Sequence, residues 1–311
     1  MSRIDEALSR TEGNQVPPQR RHNDAFTSAW TLSEPEPISA GAAVTSSPGP
    51  MAVPAAGAAR EPVAEARSLL AEEPSTREMM ELRAAWADRL AISSQANPVL
   101  VEQFRRLAAS LHHAQTNGQL KVVMVTSASP GDGKTLTAVN LAVTLSESYR
   151  RRVLLVDSDL RRPSISNISQ AMPQVGLSDG LRSSVERKLS LLQLTEMLTF
   201  LPAGSPDPDP MSGLTSTRMQ RIIEEASTRF DWVILDAPPV GPVADANLLA
   251  AIADAIVLVV RAADSRYPDV QKALDTLGRE RIFGVVLNAV EVNENEAYSR
   301  YYTTRSGERT K

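Results

Sequence analysis

The sequence predicts an α/β domain with a mostly parallel sheet and helices on both of its faces. Apolar runs such as LKVVMVTS, RVLLVDSD and FDWVILDAPP alternate with stretches of helical periodicity between about residues 99 and 290. Strands that are apolar throughout are typical of parallel sheets buried on both faces, and the helices between them provide the crossovers. The composition, 42% hydrophobic and 23% charged over 311 residues, fits a globular domain with appendages.

Charge and rare residue types exclude several kinds of protein. The formal net charge is -4, so no overall positive field attracts nucleic acid, and we expect no nucleic-acid partner. The absence of cysteine excludes disulfides and thiolate zinc sites, and three histidines argue against a histidine metal site. The longest nearly apolar run, Leu248 to Val260, is too short to cross a bilayer and contains Asp254. With no secretory signal at the amino terminus, we expect a cytoplasmic protein.

Residues 1–75 are predicted to form a disordered, Pro/Ala-rich leader. Nine of the 21 prolines lie there, among Ala, Ser, Gly and Glu. Such a composition buries too little apolar surface to offset the entropy of ordering. Ile4 and Leu8 have helical spacing, so Ser2–Ser9 is either a short docking peptide or a frayed terminus.

Two helices are predicted between the leader and the sheet. The first lies in a helical lead-in over residues 76–98, and the second spans Val99–Gln115 and opens the α/β domain at 99–290. Both have apolar residues every three or four positions, as amphipathic helices require. These are Met79, Leu82, Trp86 and Leu90 in the first helix, and Leu100, Phe104, Leu107 and Leu111 in the second.

A phosphate-binding loop follows the first predicted strand. In TSASPGDGKT, Gly131 and Gly133 let backbone amides converge on phosphate oxygens, Lys134 reaches the β- and γ-phosphates, and Thr135 offers a hydroxyl to magnesium. Ala128 replaces the first glycine of the usual G-x-x-x-x-G-K-[ST] pattern. The alternative is a Gly-Pro turn with a solvated lysine. The predicted nucleotide-binding residues are Ser129, Pro130, Gly131, Asp132, Gly133, Lys134, Thr135 and Leu136.

Three aspartates stand where predicted strands end. Asp157 and Asp159 follow one strand, on the same side of the backbone, and Asp236 ends another. Ligands of open α/β sheets bind at the carboxyl ends of strands, so we expect these carboxylates around the phosphate loop. There they would serve magnesium and a hydroxyl nucleophile. Each alone could instead cap a helix or form a turn.

These motifs together resemble those of the bacterial tyrosine kinases, P-loop proteins associated with capsular and exopolysaccharide production. VMVTSASPGDGKT is similar to the family's Walker A motif, LLVDSDLRR to its Walker A′ motif, and WVILDAPP to its Walker B motif. LPAGSPDPDP is similar to a further family segment, with Asp209 where the family has asparagine. The resemblance runs from about Asn97 to the end and implies a P-loop NTPase-type fold.

The resemblance also implies an ATP- and Mg²⁺-dependent protein-tyrosine kinase. Lys134 would hold the phosphates, while Thr135, Asp159 and Asp236 would bind or support the metal. Asp157 would accept or orient the tyrosine proton, although Asp157 and Asp159 could exchange roles. Arg161 would stabilise transferred charge or a subunit contact.

A tyrosine cluster in a flexible tail, residues 291–311, is a further mark of the family. The resemblance implies autophosphorylation of Tyr298, Tyr301 and Tyr302 by a neighbouring subunit. Alternatively, these tyrosines stack on the edge of the sheet.

Partners are implied by two shorter matches. The family's E-x-x-R-x-x-R motif for ring-like self-association is kept at Glu102 and Arg105, whereas Ala108 replaces the second arginine and Arg106 could substitute for it. Glu102 and Arg105 could also be a solvated i, i+3 pair. The opening SRIDEAL resembles soluble kinases of exosortase-linked systems. Such a chain would be activated by a separate membrane chain-length regulator and recruited to the inner face of the membrane.

Two other functions share these features. A partition or division-site ATPase of the ParA or MinD kind has this fold and paired aspartates, but its loop carries a lysine where this chain has Ser129. A non-catalytic nucleotide-binding regulator of polysaccharide chain length is the other alternative.

Overall fold

A central sheet organises the part of the chain that the computed structural model describes, namely residues 29–31, 68–71, 90–91, 97–118, 120–165, 175–241 and 244–290. Its eight strands have the spatial order β1-β8-β7-β2-β6-β3-β5-β4. The six strands from β8 to β5 are mutually parallel, and the edge strands β1 and β4 are antiparallel to their neighbours. The strands are β1 Ala29–Thr31, β2 Val122–Ser127, β3 Val153–Asp157, β4 Leu192–Gln193, β5 Leu198–Leu201, β6 Trp232–Asp236, β7 Ala255–Arg261 and β8 Ile282–Asn288.

Seven α-helices belong to the same described part of the chain. They are α1 Pro98–Asn117, α2 Lys134–Glu147, α3 Leu177–Arg182, α4 Met211–Leu214, α5 Thr217–Arg229, α6 Asp245–Ala250 and α7 Tyr267–Leu277, with a 3₁₀ turn at Arg279–Arg281. The start of α1 is fixed by Asn97, whose side chain accepts a hydrogen bond from the Val99 amide at 2.8 Å. The predicted helix over Val99–Gln115 is thereby confirmed.

Both faces of the sheet are covered, which explains the continuous apolar strands. Along β3, Leu154 and Val156 belong to one buried cluster, and Val153 and Leu155 belong to a second cluster with the apolar residues of α2. Since side chains alternate along a strand, each strand contributes to both layers. The predicted α/β class with helices on both faces is therefore confirmed.

The sheet also contains strands that the pattern does not predict. The β4–β5 hairpin and β1 extend the two edges beyond the predicted parallel strands. They are two to four residues long, which is too short for a periodic pattern to develop.

Part of the predicted leader packs against the domain. Leu69 and Leu70 are buried in the larger core cluster, inside the range 1–75 for which the sequence predicts disorder. Further along, Leu90 is buried and the Ala91 amide donates to Asn140 Oδ1 at 2.6 Å. The Ser2–Ser9 peptide, Met79, Leu82, Trp86 and the tail 291–311 lie outside the described residues.

No helix in the described ranges is both long enough and apolar enough to cross a membrane.

Candidate active site

The phosphate-binding loop connects β2 to the first turn of α2. Gly131 and Gly133 have φ angles of +89° and +98°, a region that glycine enters without the steric cost borne by other residues. Gly133 is the N-cap residue of α2, so the loop leads directly into the amino end of that helix. Free amides and the helix dipole make this end a site for phosphate.

Asp132 holds the phosphate loop in place through three hydrogen bonds. Its carboxylate accepts hydrogen bonds from the Ser129 amide at 2.9 Å and from the Ser265 hydroxyl at 2.8 Å. Its carbonyl accepts one from the Asn288 side chain at 2.8 Å. The predicted nucleotide ligand Asp132 is therefore buried, and its side chain positions the loop.

Nothing in the sequence pattern singled out Ser265 and Asn288 as loop partners. Ser265 follows β7 and Asn288 is the last residue of β8, more than 130 positions along the chain from Asp132. The available signal was their place at the carboxyl ends of two predicted strands, where parallel sheets bind ligands.

Four of the five predicted catalytic residues meet beside this loop. Asp157 and Asp236 lie opposite each other in the β3–β6 ladder. Lys134 Nζ lies 3.0 Å from Asp159 Oδ2 and 3.9 Å from Asp236 Oδ1. The structure shows the predicted gathering of the three carboxylates around the phosphate loop.

The charges of this cluster shift its pKa values. Burial, and next the charge of Asp236, raise the pKa of Asp157 to about 8. Burial also raises the pKa of Asp236, against the opposing effect of Lys134. Burial alone would lower the pKa of Lys134, but the charges of Asp236 and Asp159 raise it. One ammonium therefore stands among three carboxyl groups that are largely shielded from solvent.

Hydroxyl groups complete the site. Thr135 Oγ1 and Ser164 Oγ lie 2.9 Å apart, and both hydroxyls favour the charged form of Asp236. Even so, neither carboxylate oxygen of Asp236 has a hydrogen bond of normal geometry. The sequence offered no reason to choose Ser164, apart from its position five residues after Asp159.

The donor set fits Mg²⁺ bound together with a nucleotide. This ion is usually held by one or two carboxylates, hydroxyls and water, with phosphates completing the shell. Thr135, Asp159 and Asp236 are ligands of that type, and the cluster carries more negative than positive charge. Within the described residues, no group of three or more His, Cys, Asp or Glu is arranged to hold a metal by itself.

Arg161 stands apart from this cluster. Its guanidinium makes two hydrogen bonds to the buried Asp245 carboxylate, at 2.5 and 3.2 Å, and also donates to the Pro208 carbonyl. It thereby joins the loop after β3 to α6 and to the LPAG segment. Its predicted role, in stabilising transferred charge or a subunit contact, stays a prediction.

The helix that carries the predicted ring motif shows a different pairing. Glu102 forms its ion pair with Arg106 at 3.6 Å, so the interpretation as a Glu102–Arg105 pair is wrong. Arg105 is exposed, and Ala108 is fully buried against the core. The three tail tyrosines Tyr298, Tyr301 and Tyr302 lie outside the described residues.

Comparison with known proteins agrees with this site. Residues 123–308 match the model of the CobQ/CobB/MinD/ParA nucleotide binding domain family. Tyrosine-protein kinase YwqD of Bacillus subtilis is 34% identical over 206 residues, which are 65% of this chain and 86% of that protein. This chain belongs to the bacterial tyrosine kinases.

Two further relatives fit this membership. The kinase domain of the Escherichia coli tyrosine kinase ETK superposes with a TM-score of 0.58 and is 29% identical over 63% of this chain and 78% of that one. The succinoglycan biosynthesis transport protein ExoP of Rhizobium meliloti is 31% identical over 207 residues, which are 64% of this chain but 26% of ExoP. The predicted kinase fold and family are confirmed.

Gly133→Ala tests how closely the loop is packed. A side chain at either glycine would be strained by the positive φ, but a Cβ at Gly133 would also lie 2.0 Å from Asn288 Nδ2, whereas a Cβ at Gly131 meets no heavy atom within 4 Å. We expect Gly133→Ala to weaken ADP binding in the presence of Mg²⁺ by ~10-fold or more, and Gly131→Ala to weaken it less. Calorimetric titration measures both, and equal losses would contradict the close contact with Asn288.

Asp157 gives the nucleotide-free protein a pH-dependent stability. An unfolded aspartate titrates near ~3.9, whereas the pKa of Asp157 in the fold is raised to about 8. The contribution of Asp157 to the free energy of unfolding is therefore fully present below about pH 4 and is lost as the pH rises through about 8. In urea unfolding without Mg²⁺, we expect the free energy of unfolding of Asp157→Asn to increase relative to that of wild type as the pH rises from about 4 to about 8.

Asp231→Asn is the control for this measurement. Hydrogen bonds from Arg152 outweigh burial and lower the pKa of Asp231, so its stability difference from wild type stays constant between about pH 4 and 8. An Asp157→Asn difference that is equally constant would contradict the raised pKa.

Proposed function

We propose that this tyrosine kinase transfers the γ-phosphate of ATP to the tail tyrosines of a neighbouring copy, and that this regulates exopolysaccharide synthesis or export. The observation that carries the proposal is the contact of Lys134 with Asp159 and Asp236 at the mouth of the phosphate loop. Family membership supplies the tyrosine as acceptor, and Tyr298, Tyr301 and Tyr302 are the proposed substrates.

Phosphate binding is assigned to the loop and its lysine. When ATP arrives, its phosphates offer Lys134 an anionic partner in place of Asp159, and the amides around Gly131 and Gly133 offer hydrogen bonds. Mg²⁺ would neutralise phosphate charge and orient the β- and γ-phosphates. Thr135, Asp159 and Asp236 are the residues that would hold it.

Asp157 is the proposed acceptor of the tyrosine proton. At neutral pH in the free protein this carboxyl retains its own proton, because burial and Asp236 raise its pKa to about 8. Mg²⁺ bound with the nucleotide would lower that pKa, so that Asp157 would release its own proton to solvent and become a carboxylate. The tyrosine Oη then loses its proton to Asp157 and bonds to the γ-phosphorus, while the bond from that phosphorus to the leaving ADP oxygen breaks.

A membrane partner is part of the proposal. The match to ExoP covers about a quarter of that transport protein, which supports a kinase module that works with a larger polysaccharide machinery. We propose a cytoplasmic kinase that a membrane chain-length regulator recruits and activates. The opening SRIDEAL and the Pro-rich leader are the segments proposed to reach it.

Mixing two inactive variants tests transfer between copies. Lys134→Met keeps its tail but lacks the loop lysine, and the triple variant Tyr298, Tyr301 and Tyr302→Phe keeps the site but lacks acceptors. With ATP and Mg²⁺, we expect tail phosphate in the mixture and in neither variant alone. Tryptic mass spectrometry reads the result directly, because only one of the two chains has tail tyrosines.

Lys272→Met is the matched control, because Lys272 is an exposed lysine on α7. We expect this variant to phosphorylate its tail as wild type does. Phosphate in wild type but not in the mixture would contradict transfer between copies. No tail phosphate in any sample that binds ATP would favour the alternatives, a ParA- or MinD-like ATPase switch or a non-catalytic regulator.

Tail phosphorylation is also expected to change the assembly. Each phosphate adds about -1.5 to -2 charges, so tails that meet in a ring repel one another. Native mass spectrometry should show larger oligomers for the triple Tyr→Phe variant than for phosphorylated wild type. The same oligomer in both samples would contradict this charge switch.

A further inference from the structure

A short segment of the leader occupies a built groove on the kinase domain. Residues Ser68–Ala71 form a parallel bridge with Leu189, between Leu70 and that residue. The groove is completed by α5, whose Glu225 and Arg229 face the segment. This groove lies outside the nucleotide site.

The groove pairs the backbone of the segment from Leu69 to Ala71. Glu225 accepts hydrogen bonds from the amides of Leu69 at 2.7 Å and Leu70 at 3.3 Å, and from the Ser68 hydroxyl at 2.5 Å. Such bonds to a carboxylate are stronger than those between neutral groups. One acidic side chain therefore fixes the start of the segment.

The remaining polar groups are also paired. The Leu189 amide donates to the Leu69 carbonyl at 2.7 Å, and the Leu189 carbonyl accepts from the Ala71 amide at 3.0 Å. The Ser68 hydroxyl also lies 2.9 Å from the Leu70 carbonyl, so its one proton is shared between this oxygen and Glu225. Arg229 donates to the Ala71 carbonyl at 2.8 Å. Every backbone N–H and C=O from Leu69 to Ala71 thus has a partner, as a buried segment requires.

The side chains give the groove its selectivity. Leu69 and Leu70 are 3% and 0% exposed and belong to the same core cluster as Leu189 and Ile222. Ser68 places one hydroxyl proton within reach of both Glu225 and the Leu70 carbonyl, which no apolar residue could do. Main-chain pairing with pockets for particular side chains is how domains recognise extended peptides.

We propose that α5 and Leu189 form a peptide-docking site for an extended Ser-Leu-Leu-Ala segment, and that this site is filled in cis by Ser68–Ala71 as a releasable anchor for the leader. The hydrogen bonds of the segment outweigh burial and lower the pKa of Glu225, so the carboxylate that the site needs is charged at neutral pH.

A vacated site should accept the same peptide from solution. The probe is a fluorescein-labelled synthetic peptide with the sequence EARSLLAEE, residues 65–73, and the hosts are full-length chains. In wild type the attached segment competes at an effective concentration on the order of mM, so the peptide binds weakly. In Leu70→Asp the site is empty, and we expect fluorescence anisotropy to show binding at least ~10-fold tighter.

Glu225 provides the matched pair of controls. Adding Glu225→Gln to Leu70→Asp should abolish peptide binding, whereas adding Glu224→Gln, at the exposed neighbouring position, should leave it unchanged. Equal binding to all four chains would overturn the proposal. ADP binding checks that each host is folded, because none of these substitutions touches the phosphate loop.

Amide hydrogen exchange tests the docking of Ser68–Ala71 in case Leu70→Asp does not fold. In wild type the amides of Leu69, Leu70 and Ala71 should exchange slowly, and Glu225→Gln should speed their exchange at least ~10-fold without affecting β6. Fast exchange in wild type would overturn the proposal. Protection that falls on dilution would show that a second copy supplies the segment, which would overturn the assignment in cis.

Discussion

A single ammonium among three buried carboxyl groups is the interaction on which the site depends. Lys134 is held at the ends of β3 and β6, where Asp157 and Asp236 face each other across the ladder. Burying like charges so close together is unfavourable unless cations compensate them. The lysine compensates only part of this charge, which prepares the site for the cationic and phosphate groups of a nucleotide complex.

The rest of the domain holds this charge cluster in place. Parallel strands buried on both faces bring their carboxyl ends to one edge, and the helix after β2 begins there. Ser265, after β7, and Asn288, in β8, hold the loop between β2 and that helix in place by hydrogen bonds to Asp132. The phosphate loop is therefore already in a defined conformation before the nucleotide binds. Binding then costs little conformational entropy in the loop.

The features of this structure that depend on short stretches of sequence were predicted from the sequence. The strands, the phosphate loop and the aspartates at strand ends follow from periodicity and from chemistry at short spacing. The partners of Asp132 were not predictable, because Ser265 and Asn288 come from distant strands whose order no local pattern encodes. The anchor Ser68–Ala71 was predicted to be disordered, since a composition averaged over the leader hides two adjacent leucines. Arg161 was assigned by motif alone, and its pairing with Asp245 depends on where α6 lies.

The most direct test of the account is a crystal structure of the protein with ADP and Mg²⁺. We expect Lys134 Nζ, now 3.0 Å from Asp159 Oδ2, to have moved to a β-phosphate oxygen, with the loop around Gly131 and Gly133 otherwise unchanged. A nucleotide bound elsewhere, or bound at the loop while Lys134 keeps both of its carboxylate partners, would contradict the role of this lysine.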